Sequence, residues 1–320
     1  MLRLDVPFWV VYELDSGSNH KGKQMTASEA RTRARSMQEL GELFERTTDK
    51  DLTKSSIKSY QPRPTDVVIT PFGKSGTTWT QQIFHTLRTR GDMDFDDISR
   101  VVPWIETSGR LGIDINAEQR AEPRGFKSHL EYEQLPRGAK YINVIRDPLD
   151  AAYSAYKFME GWYLEPGAVS PEEFILARGE DASYHKHFLS WWAHRDDDDV
   201  LYLVYEHMKN DPEGTIERIA TFSGIELDDE LRAITLEHSS LSFMQKHKDR
   251  FDDAMLRADS EKETLPSGSD SAKVRVGKIA EFQWSKEVVE LYDRLWQGHV
   301  APITGFATYA ELIKSLKGTS

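Results

Sequence analysis

The sequence predicts a single α/β domain, a central parallel sheet flanked by helices with a P-loop-like anion-binding turn after its first strand. Three observations carry that expectation. Strand-like apolar runs at 67–69, 139–145 and 200–204 alternate with amphipathic helical stretches, the pattern of a parallel sheet covered on both faces. The first run is followed at once by a glycine turn, a lysine and hydroxyl residues that open a helix. Across the 320 residues there is no internal repeat, and no Pro/Gly/Ser-rich linker divides the region holding these features.

Taken in chain order, residues 1–60 read as an N-terminal extension and 61–320 as the domain itself. The extension contains a helix predicted over 26–46, with Thr26 and Glu29 as its capping box. The turn follows Val67-Val68-Ile69 and reads Thr70-Pro71-Phe72-Gly73-Lys74-Ser75-Gly76-Thr77-Thr78-Trp79, opening a helix that runs towards Arg90. Backbone N–H groups at such a helix start form an anion site. Lys74 adds a mobile charge, and Thr77 and Thr78 add hydroxyl donors. The form G-x-x-x-x-G-K-[ST] does not fit, because its first glycine would fall at Val68 inside the strand.

The stretch 139–145 is a second strand, with Arg146 at its end. Asp147 suits a helix N-cap, Pro148 the first helical position, and Asp150 lies three residues past the cap. Ser154 falls on the second turn of that helix, so an arginine fork and a hydroxyl can hold a phosphate together. Between these motifs, Gly125-Phe126-Lys127-Ser128-His129-Leu130 carries a histidine at a strand end. Histidine is the natural base near neutrality. Its strand is expected to lie between the two that carry the anion motifs.

Lys-Ser-Gly-Thr-Thr-Trp at 74–79 resembles the loop of sulfotransferases that use 3′-phosphoadenosine 5′-phosphosulfate (PAPS). The resemblance implies a P-loop-like phosphosulfate site formed by Lys74, Ser75, Gly76, Thr77 and Thr78, with Trp79 on adenine. Arg146 and Ser154 match the family's 3′-phosphate site, an arginine-x-proline after a strand with a serine eight residues beyond the arginine. Lys127-Ser128-His129 resembles the family's Lys-Thr-His, which makes His129 the implied base, assisted by Lys127. The segment 100–106 resembles the acceptor wall, with Trp104 as the pocket aromatic; Phe158 and Phe72 are the other implied pocket residues. Tyr205 and Ser239 correspond to adenine contacts, although Leu241 replaces the family's phenylalanine. Arg275-Val276-Gly277 resembles the Arg-Lys-Gly clamp on the 3′-phosphate; Val276 removes its middle cation, leaving Lys273 or Lys278 to complete it. Other departures are Phe72-Gly73 for tyrosine-proline and the lack of the dimer-contact segment of the animal cytosolic branch, which leaves the oligomeric state open. The implied acceptor is a small or lipidic molecule offering a hydroxyl or an amine. Rival readings are an ATP-dependent small-molecule kinase and a non-catalytic nucleotide-binding module.

A net charge of −12 argues against a general nucleic-acid binder. There is no cysteine, which excludes disulfides and thiolate metal sites and suits a cytoplasmic protein. Asp5 and Pro7 interrupt the first apolar residues, so no signal peptide is expected, and no apolar run approaches the ~18 residues of a membrane span. No metal is expected: the aspartates at 196–199 read as a solvated loop, and His185 and His187 point apart on a helix. The polar segment 250–273 reads as a mobile lid.

Overall fold

The strands β1 (Val67–Ile69), β2 (Gly125–Lys127), β3 (Lys140–Ile145) and β4 (Val200–Val204) pair in parallel in the order β2-β1-β3-β4. The computed structural model describes residues 31–263, 265–271, 273–275 and 282–316. Register places Val68 beside both Phe126 and Tyr141, and Ile142 beside Leu201. Strand order corrects one expectation: β1, not the strand of His129, lies between its neighbours, and β2 stands at the edge.

Alternation of side chains along β1 divides the core. Val67 and Ile69 face the cluster of Ile83, Phe84 and Leu87, while Val68 faces Phe126, Tyr141 and Trp191. All three β1 residues are completely buried, as expected of a strand covered on both faces.

The longer helices, in order, are α1 (Met37–Thr47), α2 (Lys50–Ser59), α3 (Thr77–Thr89), α4 (Pro148–Trp162) and α5 (Ser183–Trp192). They continue as α6 (Pro212–Ser223), α7 (Asp229–His238), α8 (Ala254–Glu263), α9 (Lys286–Leu295) and α10 (Tyr309–Ser315). Helix α3 crosses β2 closely: a Cβ on Gly125 would lie 2.3 Å from the Phe84 ring, so only glycine fits there. Asp147 caps α4 as its sequence suggests, accepting from the N–H groups of Leu149 and Asp150, with Pro148 in the first turn. Ser285 likewise caps α9.

One segment departs from expectation, and the segment read as a lid proves to carry a helix. The helix predicted over 26–46 begins at Met37, because Ser36 supplies the cap by accepting from the Glu39 N–H. Thr26 and Glu29 lie outside the described residues. Ala34 is instead extended, exchanging backbone hydrogen bonds with Tyr163 and Glu165. The segment 250–273 contains α8, with Phe251 and Leu265 fully buried on either side of it. Its few apolar residues suffice because they join cores supplied by other elements.

The two edges of the sheet differ in kind. Asp66 and Arg124, at the amino ends of β1 and β2, form a buried bidentate pair at 2.9 and 2.7 Å, to which Tyr60 also donates. At the carboxyl edge every strand delivers a polar residue: the Thr70–Gly76 turn after β1, His129 after β2, Arg146 after β3 and Tyr205 after β4. Ligands of open parallel sheets bind at that edge.

Candidate active site

A cavity of about 760 Å³ opens at the carboxyl edge and collects most of the residues singled out in the sequence. Lys74, Gly76, Thr77, Thr78 and Trp79 line it from the turn and α3, Lys127 and His129 from β2, and Arg146, Ser154 and Phe158 from β3 and α4. Trp104, Tyr205, Ser239 and Arg275 complete this set.

The turn is built as an anion receptor. Gly76 caps α3 with φ 101° and no side-chain cap, which leaves the first-turn N–H groups unclaimed by a side chain. A Cβ on Gly76 would lie 3.0 Å from the Tyr205 ring, so glycine is required on two counts. Lys74 itself sits at φ 68°, and its carbonyl accepts from Arg146 Nη1 at 2.9 Å. That bond ties the two anion motifs together. Thr77 Oγ1 and Arg146 Nε, of residues on the cavity wall, and Ser75 Oγ, behind the wall, are buried without a hydrogen-bond partner in the protein; the first two are polar atoms that a bound anion can reach or polarise.

Charge is concentrated here. The Lys74 ammonium lies 4.5 Å over the Phe158 ring. Part of the residue reaches the cavity surface, yet its ammonium is desolvated, which pushes its pKa well below the ordinary lysine value. Lys273, Arg275 and Arg146 push it down further, and Asp253 partly offsets them. Cations stripped of water in this way gain most from a multiply charged anion.

His129 is held in a defined tautomer. Its Nδ1 lies 2.7 Å from the Pro71 carbonyl, which can only accept, so Nδ1 carries the proton and Nε2 the lone pair. The His129 backbone N–H donates to Glu106 at 2.7 Å, and the Trp104 ring meets the imidazole edge-on at 5.2 Å. Burial, and then the Lys127 cation, hold its pKa down to about 3, so the ring is neutral at physiological pH. Lys127 Nζ lies 4.6 Å over the Trp104 ring and 3.4 Å from Asp253 Oδ1.

An aromatic and guanidinium platform lies across the site. Arg146 stacks on Tyr205 at 4.5 Å, Trp79 meets Tyr205 edge-on at 5.8 Å, and the Trp79 indole donates to the Ser239 carbonyl at 2.9 Å. The Ser239 hydroxyl proton goes to the Thr235 carbonyl, which leaves its oxygen as an acceptor. Leu241 is about half exposed and lines the cavity where an aromatic ring was the family pattern.

Two expectations are amended, and part of a third lies outside the described residues. Phe72 does not line the cavity: its ring packs edge-on against Tyr184 at 5.3 Å and His187 at 5.6 Å, turned towards α5. Ser75 is fully buried behind the turn and is not on the wall, where Gly73 stands instead. Of the clamp, Arg275 is on the wall and 5.7 Å from the Tyr153 ring, while Val276, Gly277 and Lys278 lie outside the described residues. Lys273 pairs with Asp253.

Sequence reasoning missed the far wall. Phe44 and Leu52 from α1 and α2, Met159 from α4, and Leu256 from α8 give the cavity an apolar end, where Phe44, Met159 and Leu256 share one core cluster with Phe158. It also missed Asp253, which meets β2 from a position 126 residues further along the chain. No motif marked either feature. Among the described residues no helix is long and apolar enough to cross a membrane, and no group of three or more metal-ligating side chains is assembled.

Comparison with known proteins identifies the family and the fold. The family model described as a sulfotransferase domain matches residues 64–295. Sulfotransferase 1 family member D1 of Rattus norvegicus is 30% identical over 227 residues, covering 66% of this chain and 77% of that protein. Sulfotransferase 1B1 of Canis lupus familiaris is 31% identical over 209 residues, covering 59% and 69%. The fold is similar to that of retinol dehydratase in complex with androsterone and PAP, with a TM-score of 0.63, 21% identity and coverage of 81% and 88%. It is also similar to that of a mouse sulfotransferase complexed with PAP, with a TM-score of 0.59, 23% identity and coverage of 81% and 93%. The chain therefore belongs to the sulfotransferase domain family, as a PAPS-dependent sulfotransferase acting on small-molecule acceptors.

Proposed function

We propose that His129 is the general base of this sulfotransferase and that the acceptor is a small or lipidic alcohol, or an amine, entering from the apolar end of the cavity. The observation that carries the reading is the neutral imidazole with its free Nε2, in the same cavity as an anion turn whose donors lack protein partners. The donor set fits PAPS. Lys74 and the α3 N-terminus would take its phosphosulfate, with Thr77 and Thr78 beside them. Arg146, Ser154 and Arg275 would take the 3′-phosphate, and Trp79 and Tyr205 the adenine. Bound there, PAPS supplies a sulfuryl group activated by its phosphate leaving group.

His129 Nε2 receives the acceptor proton as oxygen bonds to sulfur. Lys74 neutralises the negative charge that builds on the departing bisphosphate, a contribution larger in the transition state than before it. Lys127 stands beside His129 and withdraws basicity from it until the donor's negative charge arrives. Phe44 and Leu52 come from within the first 60 residues, so the N-terminal extension serves as the outer acceptor wall. The chain without cysteines suits a cytoplasmic location.

A thermal-shift comparison of adenosine 3′,5′-bisphosphate, ATP and AMP tests the donor assignment. Stabilisation by the bisphosphate far beyond the other two is expected. Equal stabilisation by all three would remove the 3′-phosphate site, and a preference for ATP would favour the kinase reading.

A further inference from the structure

Lys74, Lys127 and Lys273 converge on one end of the cavity, and the Asp253 carboxylate sits among them. Asp253 Oδ1 is 3.4 Å from Lys127 Nζ, its Oδ2 pairs with Lys273, and its side chain is 4% exposed. A buried carboxylate in a receptor for anions repels the ligand, so its presence calls for a compensating role. It is also held at some cost, since Asp253 adopts a left-handed φ of 50°. The segment is pinned around it: Asp252 accepts from Ser271 and pairs with Arg257, and the Met255 N–H donates to Asp97. Two elements thus meet at one carboxylate, β2 through Lys127 and the chain after α8 through Lys273, with Lys74 of the turn within electrostatic reach of it.

We propose that Asp253 is a positioning residue that balances the lysine cluster before the donor arrives, keeping Lys127 protonated and seated between the Trp104 ring and its own carboxylate, next to His129. The inference rests on reading this cavity as the PAPS site. Lys127 faces Asp253, Lys273 and, further off, Asp97. Lys74 faces Asp253 together with the cations Lys273, Arg275 and Arg146. Asp253 itself also faces Tyr163. Burial drives both ammoniums towards the neutral form, and Asp253 opposes that at each of them.

Removing the carboxylate then has two consequences of opposite sign. At a pH where all the lysines are charged, loss of one negative charge tightens the binding of an anion. At higher pH Lys74 and Lys127 shed their protons sooner, and binding weakens. The affinity–pH curves of the wild type and Asp253→Asn should therefore cross. Asparagine keeps the size of the side chain and tolerates the left-handed backbone.

Calorimetric titration with adenosine 3′,5′-bisphosphate from pH 6 to pH 10, on wild type, Asp253→Asn and Lys273→Met, provides the test. Asp253→Asn should bind several-fold more tightly at the acidic end. At the alkaline end it should bind more weakly, roughly tenfold for each unit by which the lysine midpoint falls. Lys273→Met should move the midpoint upwards, because a competing cation has gone. A curve for Asp253→Asn that runs below the wild type in parallel at every pH would mark a structural role and overturn the inference. If that variant fails to fold, Lys273→Met decides: an upward midpoint supports the balance and an unmoved one refutes it. Absence of binding by wild type itself would overturn the donor-site reading, and this inference with it.

Discussion

Replacing His129 with asparagine separates the two halves of the imidazole. The asparagine amide nitrogen falls near the position of Nδ1, so it can still donate to the Pro71 carbonyl that now accepts at 2.7 Å. The backbone bond to Glu106 does not involve the side chain and survives. What disappears is Nε2 and part of the ring that packs against Trp104. The stability cost is then confined to lost packing, about 1–3 kcal/mol. A base that touches the acceptor and not the nucleotide leaves bisphosphate affinity within a few fold, and that is the expected result. Turnover should fall by roughly 10²–10⁴, the usual worth of a positioned base. That corresponds to about 3–5 kcal/mol of barrier. The assay is sulfate transfer from radiolabelled PAPS at saturation to a simple phenol or long-chain alcohol, run beside bisphosphate titration and thermal melting. Near-normal turnover by a folded, bisphosphate-binding variant would sink the assignment and move the proton to another group.

Gly76→Ala should cost about 1–3 kcal/mol of stability, because φ 101° is strained for any side chain. It should also weaken bisphosphate binding roughly tenfold, about 1.4 kcal/mol, since the new Cβ at 3.0 Å displaces the Tyr205 ring on which Arg146 stacks. Calorimetry showing unchanged affinity would uncouple the turn from that platform. His187, packed against Phe72, tests burial through pH: desolvation first, then the neighbouring His129, hold it down to about 3. Between that value and the ordinary 6.5 the unfolded chain binds a proton that the native protein refuses, so stability falls as pH drops through this window. His187→Phe should flatten the urea-derived stability slope from pH 6 to pH 4 by about 1.4 kcal/mol per pH unit. An unchanged slope would contradict the buried, neutral histidine.

The parts of this protein that were legible are those where chemistry and chain punctuation coincide. Lys74 and Arg146 each follow a strand and precede a helix start, a glycine in one case and a capping aspartate in the other, so the residues that mark the element boundary also place the charge. His129 was legible through its strand-end position, but the rank of its strand in the sheet was not. Strand order depends on which apolar faces meet, and β1, β2 and β3 are similarly apolar. Phe72 was misplaced because sequence adjacency to Lys74 says nothing about which side of the turn a ring takes, and Tyr184 with His187 offered the drier side. The segment 250–273 looked like a lid on composition alone. Its order comes from buried carboxylates and two large apolar residues, Phe251 and Leu265, inserted into cores built elsewhere. Asp253 could not be read at all, since its meaning lies in lysines far away in sequence.

Stability and function are divided between the two edges of one sheet. At the amino edge, Asp66 and Arg124 satisfy each other, with Tyr60 and backbone carbonyls taking the remaining bonds. Removing either partner would strand a buried charge, at about 3–5 kcal/mol. At the carboxyl edge the same chain tolerates the opposite condition: Lys74 and Asp253 in left-handed backbone, donors without partners, and desolvated lysines. Those features are costly in a free protein and would become favourable once a multiply charged anion filled the cavity, which accounts for their clustering at the proposed donor site. The Lys74 carbonyl, bonded to Arg146, and Asp253, bonded to Lys127 and Lys273, are the two points where this strain is anchored. Binding of the donor would therefore relieve repulsion among the cations and tighten the turn against β3 in one step.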